Sequence, residues 1–218
     1  MVHRQSKTRS RFALSGKRPS GVIDERKFFL IVTEGKTEAQ YFEHFRSTTG
    51  PRIEPIDKQD SKISLVKKAI KLRKDIIKSP LFAYDKNSDE TWVVFDRDVD
   101  LKKTNDKETF NQALYLANQN GIKVAYSNDA FELWFLLHFQ VVSTTLHRRD
   151  IEEKLKKHLG GYKHGEDIFD RIRDNYPEAV KRARQMLKET IKNKTKPVDA
   201  NPSTTVHLLT EELCKGMN

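Results

Sequence analysis

The sequence predicts an α/β fold built on a parallel sheet of four strands flanked by helices. Three observations carry that expectation. Apolar runs rich in β-branched and aromatic residues occur at 27–33 (KFFLIVT), 91–95 (TWVVF) and 122–127 (IKVAYS), with a weaker one at 52–56 (RIEPI). Segments with apolar residues at helical spacing separate these runs. Near-continuous apolar runs suit strands buried on both faces, and their alternation with helices calls for a parallel sheet covered on both sides.

The first run ends in Glu34-Gly35-Lys36. Residues 37–40 (TEAQ) then read as a capping box, with Thr37 as N-cap and Gln40 reaching back. Gly35 is expected for the backbone freedom of the turn. Tyr41, Phe42 and Phe45 supply the buried face of the following helix. In the weak second run, Pro55 argues for an edge strand or a strand end. Ser64 is the expected cap of a helix carrying Leu65, Ala69, Leu72 and Ile76 on one side, stopped by Ser79-Pro80. The third run closes on Asp96-Arg97-Asp98.

A helix over 109–120 presents Phe110, Leu114 and Ala117, and Gly121 ends it. After the fourth run, residues 130–139 are apolar apart from Glu132 and His138. His138, between Leu137 and Phe139, is expected to be a satisfied core histidine, and Trp134 a core residue. From residue 148 onward the pattern is helical and charged. A short helix over 151–159 meets Gly160-Gly161. A longer one over 177–193 turns Val180, Ala183, Leu187 and Ile191 inward and Lys181, Arg184, Lys188 and Lys192 outward. A last helix carries Val206, Leu209 and Leu213. The expected organisation is a basic flexible arm (1–25), an α/β domain (26–145) and a helical C-terminal extension packed on it (146–218).

Composition narrows the function classes. The 218 residues hold 41 Lys and Arg against 31 Asp and Glu, a formal charge of +10. Twelve Phe, six Tyr and two Trp argue against wholesale disorder despite a mean hydropathy of −0.74. The single cysteine, Cys214, excludes an intramolecular disulfide framework and a cysteine-based zinc site. No apolar run approaches the roughly 20 residues that span a bilayer. The basic N-terminus has no hydrophobic segment after its charges, so a cytoplasmic protein is expected. Arg4, Lys7, Arg9, Arg11, Lys17 and Arg18 place six cations and no acid in the first twenty residues. Such an arm suits nucleic-acid phosphates, bound through counterion release.

The chemistry-bearing feature is where the acids fall. Glu34 follows the first strand, and Asp96 and Asp98 follow the third. In an open parallel sheet the carboxyl ends of strands form one edge, where ligands bind. Acids converging there repel one another unless a cation compensates, and hard oxygen ligands suit Mg²⁺ or Mn²⁺.

Glu34-Gly35 after one strand and Asp96-Arg97-Asp98 after another resemble the Toprim motif pair. More closely, residues 31–38 (IVTEGKTE) with Tyr41-Phe42, 93–98 (VVFDRD), and 127–134 (SNDAFELW) with 137–139 (LHF) resemble the RloB/AbiLii family. Asn201-Pro202-Ser203 with Val206, and the basic arm, continue the likeness over nearly the whole chain.

That resemblance implies a Toprim-fold, metal-dependent phosphoryl-transfer protein of abortive-infection phage defence, often encoded beside an AAA- or ABC-type ATPase. It assigns metal binding and catalysis to Glu34, Asp96 and Asp98, and further metal ligation to Glu38 and Glu132. Lys36 is a candidate phosphate contact beside the acids, as are Lys181, Arg184 and Lys188 with the arm cations. Strand alternation points Arg97 away from the neighbouring acids, and a phosphate contact for it stays open as the alternative. Two classes of function stay open: a Mg²⁺- or Mn²⁺-dependent nuclease, and a catalytically silent nucleic-acid-binding or sensing subunit working through an ATPase. DNA, RNA or tRNA would each serve as nucleic-acid partner, and a homodimer is compatible with either class.

Overall fold

The computed structural model describes residues 27–46, 61–80, 84–98 and 106–215, with the backbone of a strand over 52–55. The chain runs β1 (Phe29–Thr33), α1 (Lys36–Glu43), β2 (Arg52–Pro55), α2 (Lys62–Lys78), β3 (Glu90–Asp96), α3 (Asp106–Gln119) and β4 (Lys123–Asn128). It continues through α4 (Glu132–Leu137), α5 (Arg148–Leu159), α6 (Phe169–Ile172), α7 (Tyr176–Lys192), β5 (Ser203–Thr204) and α8 (Val206–Lys215). The basic arm, with Arg4, Lys7, Arg9, Arg11, Lys17 and Arg18, lies outside the described residues.

The sheet order is β2-β1-β3-β4-β5, and β1 to β4 are mutually parallel. This is the Toprim-like four-stranded arrangement, flanked by helices and continued by a helical extension. The fifth strand is an addition to the expectation. Ser203 and Thr204 pair antiparallel with Asn128 and Ser127 of β4. Two polar residues are too few for a strand period to show in sequence. Their hydroxyls join the ladder instead, Ser127 Oγ lying 3.0 Å from Thr204 Oγ1.

Strand alternation sorts the core into two layers. Ile31, Trp92, Val94 and Ala125 face α1, α4 and the C-terminal helices, while Leu30, Val32, Val93 and Phe95 face α2 and α3. Ile151, Leu155, Ala183 and Leu209 belong to the same continuous cluster as Ile31 and Trp134. The C-terminal helices therefore share one core with a face of the sheet.

Local details differ from the sequence expectations. The N-cap of α1 is Gly35, and Thr37 is buried inside the first turn without a capping bond. Ser61 caps α2, its Oγ accepting from Ser64 N at 3.2 Å. Along α7, Val180, Ala183 and Met186 are buried, but Ile191 in the last turn is exposed, because the buried stripe stops short of the helix end. Among the described residues, no helix is long and apolar enough to cross a membrane.

Candidate functional site

Parallel pairing of β1 with β3 brings their carboxyl ends to one edge of the sheet. Glu34 follows β1 and Asp96 ends β3, and the Asp96 backbone N–H donates to Glu34 Oε2 at 3.2 Å. Asp98 sits two residues on at φ 44°, its backbone N–H bonded to Asp129 O at 3.1 Å. Glu38 joins them from the first turn of α1 and Glu132 from the first turn of α4. With Lys36, Arg148 and His164 these acids line a cleft of about 390 Å³.

Burial and mutual repulsion dominate the electrostatics. Burial pushes the Glu38 carboxyl up to about 7, with Glu132 and Glu34 adding to the rise. Asp96 is held well above its ordinary range by burial and then by Glu38 and Asp98, against the pull of Arg148. Glu34 is raised by burial and Asp98, with Lys62 opposing. Burial also pushes Glu132 up, but the His164 hydrogen bond and the Arg148 charge outweigh it, leaving this carboxyl below its ordinary value. Asp96 Oδ1 is buried and has no hydrogen-bond partner among the described residues.

Several groups of the site escape sequence reasoning. Arg148, the first residue of α5, donates through Nη2 to Asp96 Oδ2 at 2.9 Å and Asp98 Oδ1 at 2.5 Å. Lys62, the first residue of α2, is buried with its ammonium 3.5 Å from Glu34 Oε1. Tyr162 donates to Glu132 Oε1 at 3.2 Å, and His164 Nδ1 lies 2.8 Å from the same oxygen. Glu132, Glu152 and His164 have ligand atoms all within 4.8 Å of one another, a spacing that suits a divalent ion. Such residues come from separate helices and loops, so no local spacing marks them. A basic residue opening a helix, as Lys62 and Arg148 do, was the one available signal, because it runs against the helix dipole.

The candidate phosphate contacts scatter. Lys36 is exposed at the cleft. Arg97, weighed as a phosphate contact, points away from the acids as strand alternation expects: it is 2% exposed and continues the alternation of Val93 and Phe95 toward α3. There its guanidinium pairs with Asp106, donates to Val198 O at 3.3 Å and lies 5.9 Å from the Phe110 ring centroid. On α7, Arg184 pairs with Glu211 and Lys181 lies 3.9 Å from Glu178, while Lys188 and Lys192 are exposed.

A protein-family model described as RloB-like protein matches residues 29–213. The chain belongs to the RloB family. No curated protein and no solved structure matches it. The matched span of this RloB-family chain contains all five cleft acids, Arg148 and most of the last helix.

The RloB-family resemblance implies Mg²⁺ or Mn²⁺, and the donor chemistry of the cleft fits such an ion. Among the described residues, the ligand atoms that meet at metal-holding spacing are those of Glu132, Glu152 and His164, and not those of Glu34, Asp96 and Asp98. Glu34, Glu38, Asp96, Asp98 and Glu132 offer oxygen donors, which hard cations take. The orphaned Asp96 Oδ1 and the raised carboxyls of Glu38, Asp96 and Glu34 are what an added positive charge would relieve. His164 adds a nitrogen donor beside Glu132 on that side of the cleft.

Proposed function

We propose that the chain is a divalent-cation-dependent nuclease, hydrolysing phosphodiester bonds of DNA or RNA, tRNA included, in abortive-infection defence with an AAA- or ABC-type ATPase as partner. The observation that carries this reading is the buried Asp96 Oδ1, unpartnered among the described residues, in a cleft lined by five acids. Burying carboxylates without a compensating cation is costly, and a pure binding surface gains nothing from it.

In this reading Glu34, Asp96 and Asp98 are the principal metal ligands, with Glu38 and Glu132 completing the set. When bound, Mg²⁺ or Mn²⁺ supplies Lewis-acid stabilisation of the charge developing on the phosphate. Glu34 takes and returns the proton at the reacting oxygens, its carboxyl raised by burial and oriented by Lys62 and the Asp96 N–H. Lys36, at the N-terminus of α1, meets the nucleic-acid backbone.

A second reading, a catalytically silent nucleic-acid-binding or sensing subunit of an ATPase complex, is favoured by one observation: Arg148 already neutralises Asp96 and Asp98. Purified protein, incubated with plasmid DNA, single-stranded DNA and total tRNA in Mg²⁺, Mn²⁺ or EDTA, with and without the ATPase, separates the two. Cleavage in Mg²⁺ or Mn²⁺, lost in EDTA and in Asp96→Asn, supports the nuclease. Binding without cleavage under every condition supports the silent subunit.

A further inference from the structure

We infer that Arg148 holds the cation position between Asp96 and Asp98 in the metal-free protein and exchanges those acids for a substrate phosphate when a divalent ion binds. This rests on the metal-dependent reading above and names how that site takes its substrate. The geometry supplies both halves of the exchange.

Arg148 is the first residue of α5, and its backbone N–H is fastened to Asp129 Oδ2 at 3.2 Å. The start of the side chain is thereby fixed at the rim of the cleft. One guanidinium nitrogen, Nη2, bonds both Asp96 and Asp98, at 2.9 and 2.5 Å. A single positive group thus bridges the two acids of the Asp-x-Asp motif, as a metal ion would. The side chain is 36% exposed, so it has room to leave. Among the described residues, Nε and Nη1 make no hydrogen bond. Half of a planar fork that matches a phosphate in geometry is therefore already free at the cleft.

A dication and a guanidinium cannot share the same two carboxylates without repulsion. Binding of the ion raises the energy of the Arg148 pairings and frees Nη2. The liberated fork lies within one side-chain length of the ion's position, where a phosphodiester approaching that ion presents non-bridging oxygens. The exchange also answers the conflict between an arginine-filled site and a metal-dependent one, since each describes a different state.

The test compares wild type with Arg148→Met and Arg148→Lys. Mn²⁺ binding, followed by the spin-resonance signal of the free ion, should tighten about tenfold or more in Arg148→Met, because a competing unit charge is gone. Affinity for a labelled single-stranded oligonucleotide should be the same for wild type and Arg148→Met in EDTA. In Ca²⁺ it should be about tenfold weaker in Arg148→Met. Arg148→Lys keeps the charge without the fork and serves if the methionine variant does not fold. It should compete with Mn²⁺ much as wild type does, yet lose the Ca²⁺-dependent gain in oligonucleotide affinity. Equal Mn²⁺ affinity in all three proteins, or an equal loss of oligonucleotide binding in EDTA and Ca²⁺, overturns the exchange alone. Absence of Mn²⁺ binding in all three overturns the metal-dependent reading together with it.

Discussion

A Cβ placed on Gly35 would lie 2.7 Å from Oε2 of Glu38, closer than two such atoms approach. Gly35 has φ −136° and ψ 175°, extended backbone open to any residue. Glycine leaves room here beside a buried carboxylate, and the backbone does not need the freedom of a turn residue. Gly35→Ala should therefore fold with a stability change within about 1 kcal/mol, since the backbone accepts alanine and the unfolded chain loses entropy. The methyl group should displace the Glu38 carboxylate and weaken Mn²⁺ binding about tenfold, the scale seen when a group supporting a metal site is disturbed. Titration calorimetry with Mn²⁺ beside a melting curve checks both. Unchanged affinity would remove Glu38 from the ligand set.

Glu38 also makes stability depend on pH in a defined window. Its folded carboxyl titrates at about 7, against 4.5 in the unfolded chain, so between those values the folded state holds the extra proton. Stability is present in full below pH 4.5 and is lost as pH rises toward 7, at up to about 1.4 kcal/mol per pH unit. His138 and His207, both buried and depressed to about 4 from 6.5, act in the opposite direction between those two values. The difference between wild type and Glu38→Gln cancels the histidines. In EDTA that difference should turn against wild type between pH 4.5 and 7 and stay level above. A difference independent of pH would show that Glu38 keeps an ordinary carboxyl.

Much of this organisation was readable from residues alone, for a physical reason. β1 and β3 are buried on both faces, so their apolar runs are continuous, and the acids at their ends stand out against them. β5 was not readable, because Ser203 and Thr204 form a strand through hydroxyl and backbone bonds to β4 and not through an apolar pattern. Capping was misread at Thr37 and Ser64 for a related reason. Gly35 sits two residues before Thr37 and caps without a side chain, while Ser61, three residues before Ser64, offers the same hydroxyl chemistry. Arg148, Lys62, Tyr162 and His164 reach the acids across long sequence distances, which only the tertiary packing determines.

Arg97 illustrates how a residue inside a motif can serve the fold. It is buried against Phe110 and paired with Asp106, whose side chain is 13% exposed. Arg97→Ala strands that carboxylate and should cost about 3 kcal/mol or more in denaturant unfolding. A loss under about 1 kcal/mol, with a shallower salt dependence of nucleic-acid binding, would return Arg97 to the phosphate-contact role weighed from sequence.

Deletion of residues 1–20 addresses the six arm cations. Among the described residues the core runs from Phe28 to Leu213, and the sequence of the arm carries no apolar periodicity, so the melting temperature should not change. Nucleic-acid affinity should fall, and the slope of log affinity against log salt should flatten by roughly one unit for each phosphate contact removed. An unchanged slope would mean that the arm carries no phosphate contact.

The central claim is that the cleft acids hold a divalent cation, and the most direct measurement is the melting temperature of wild type and Asp96→Asn in EDTA and in excess Mn²⁺. Asparagine keeps the shape of the side chain and removes the charge on a buried oxygen that lacks a partner among the described residues. In EDTA, Asp96→Asn should be at least as stable as wild type, because burial and the repulsion of Glu38 and Asp98 outweigh the pull of Arg148 on the Asp96 charge. In Mn²⁺, wild type should gain stability in proportion to its occupancy of the site, and the variant should gain far less. Equal stabilisation of the two proteins by Mn²⁺, or none of either, would contradict the account.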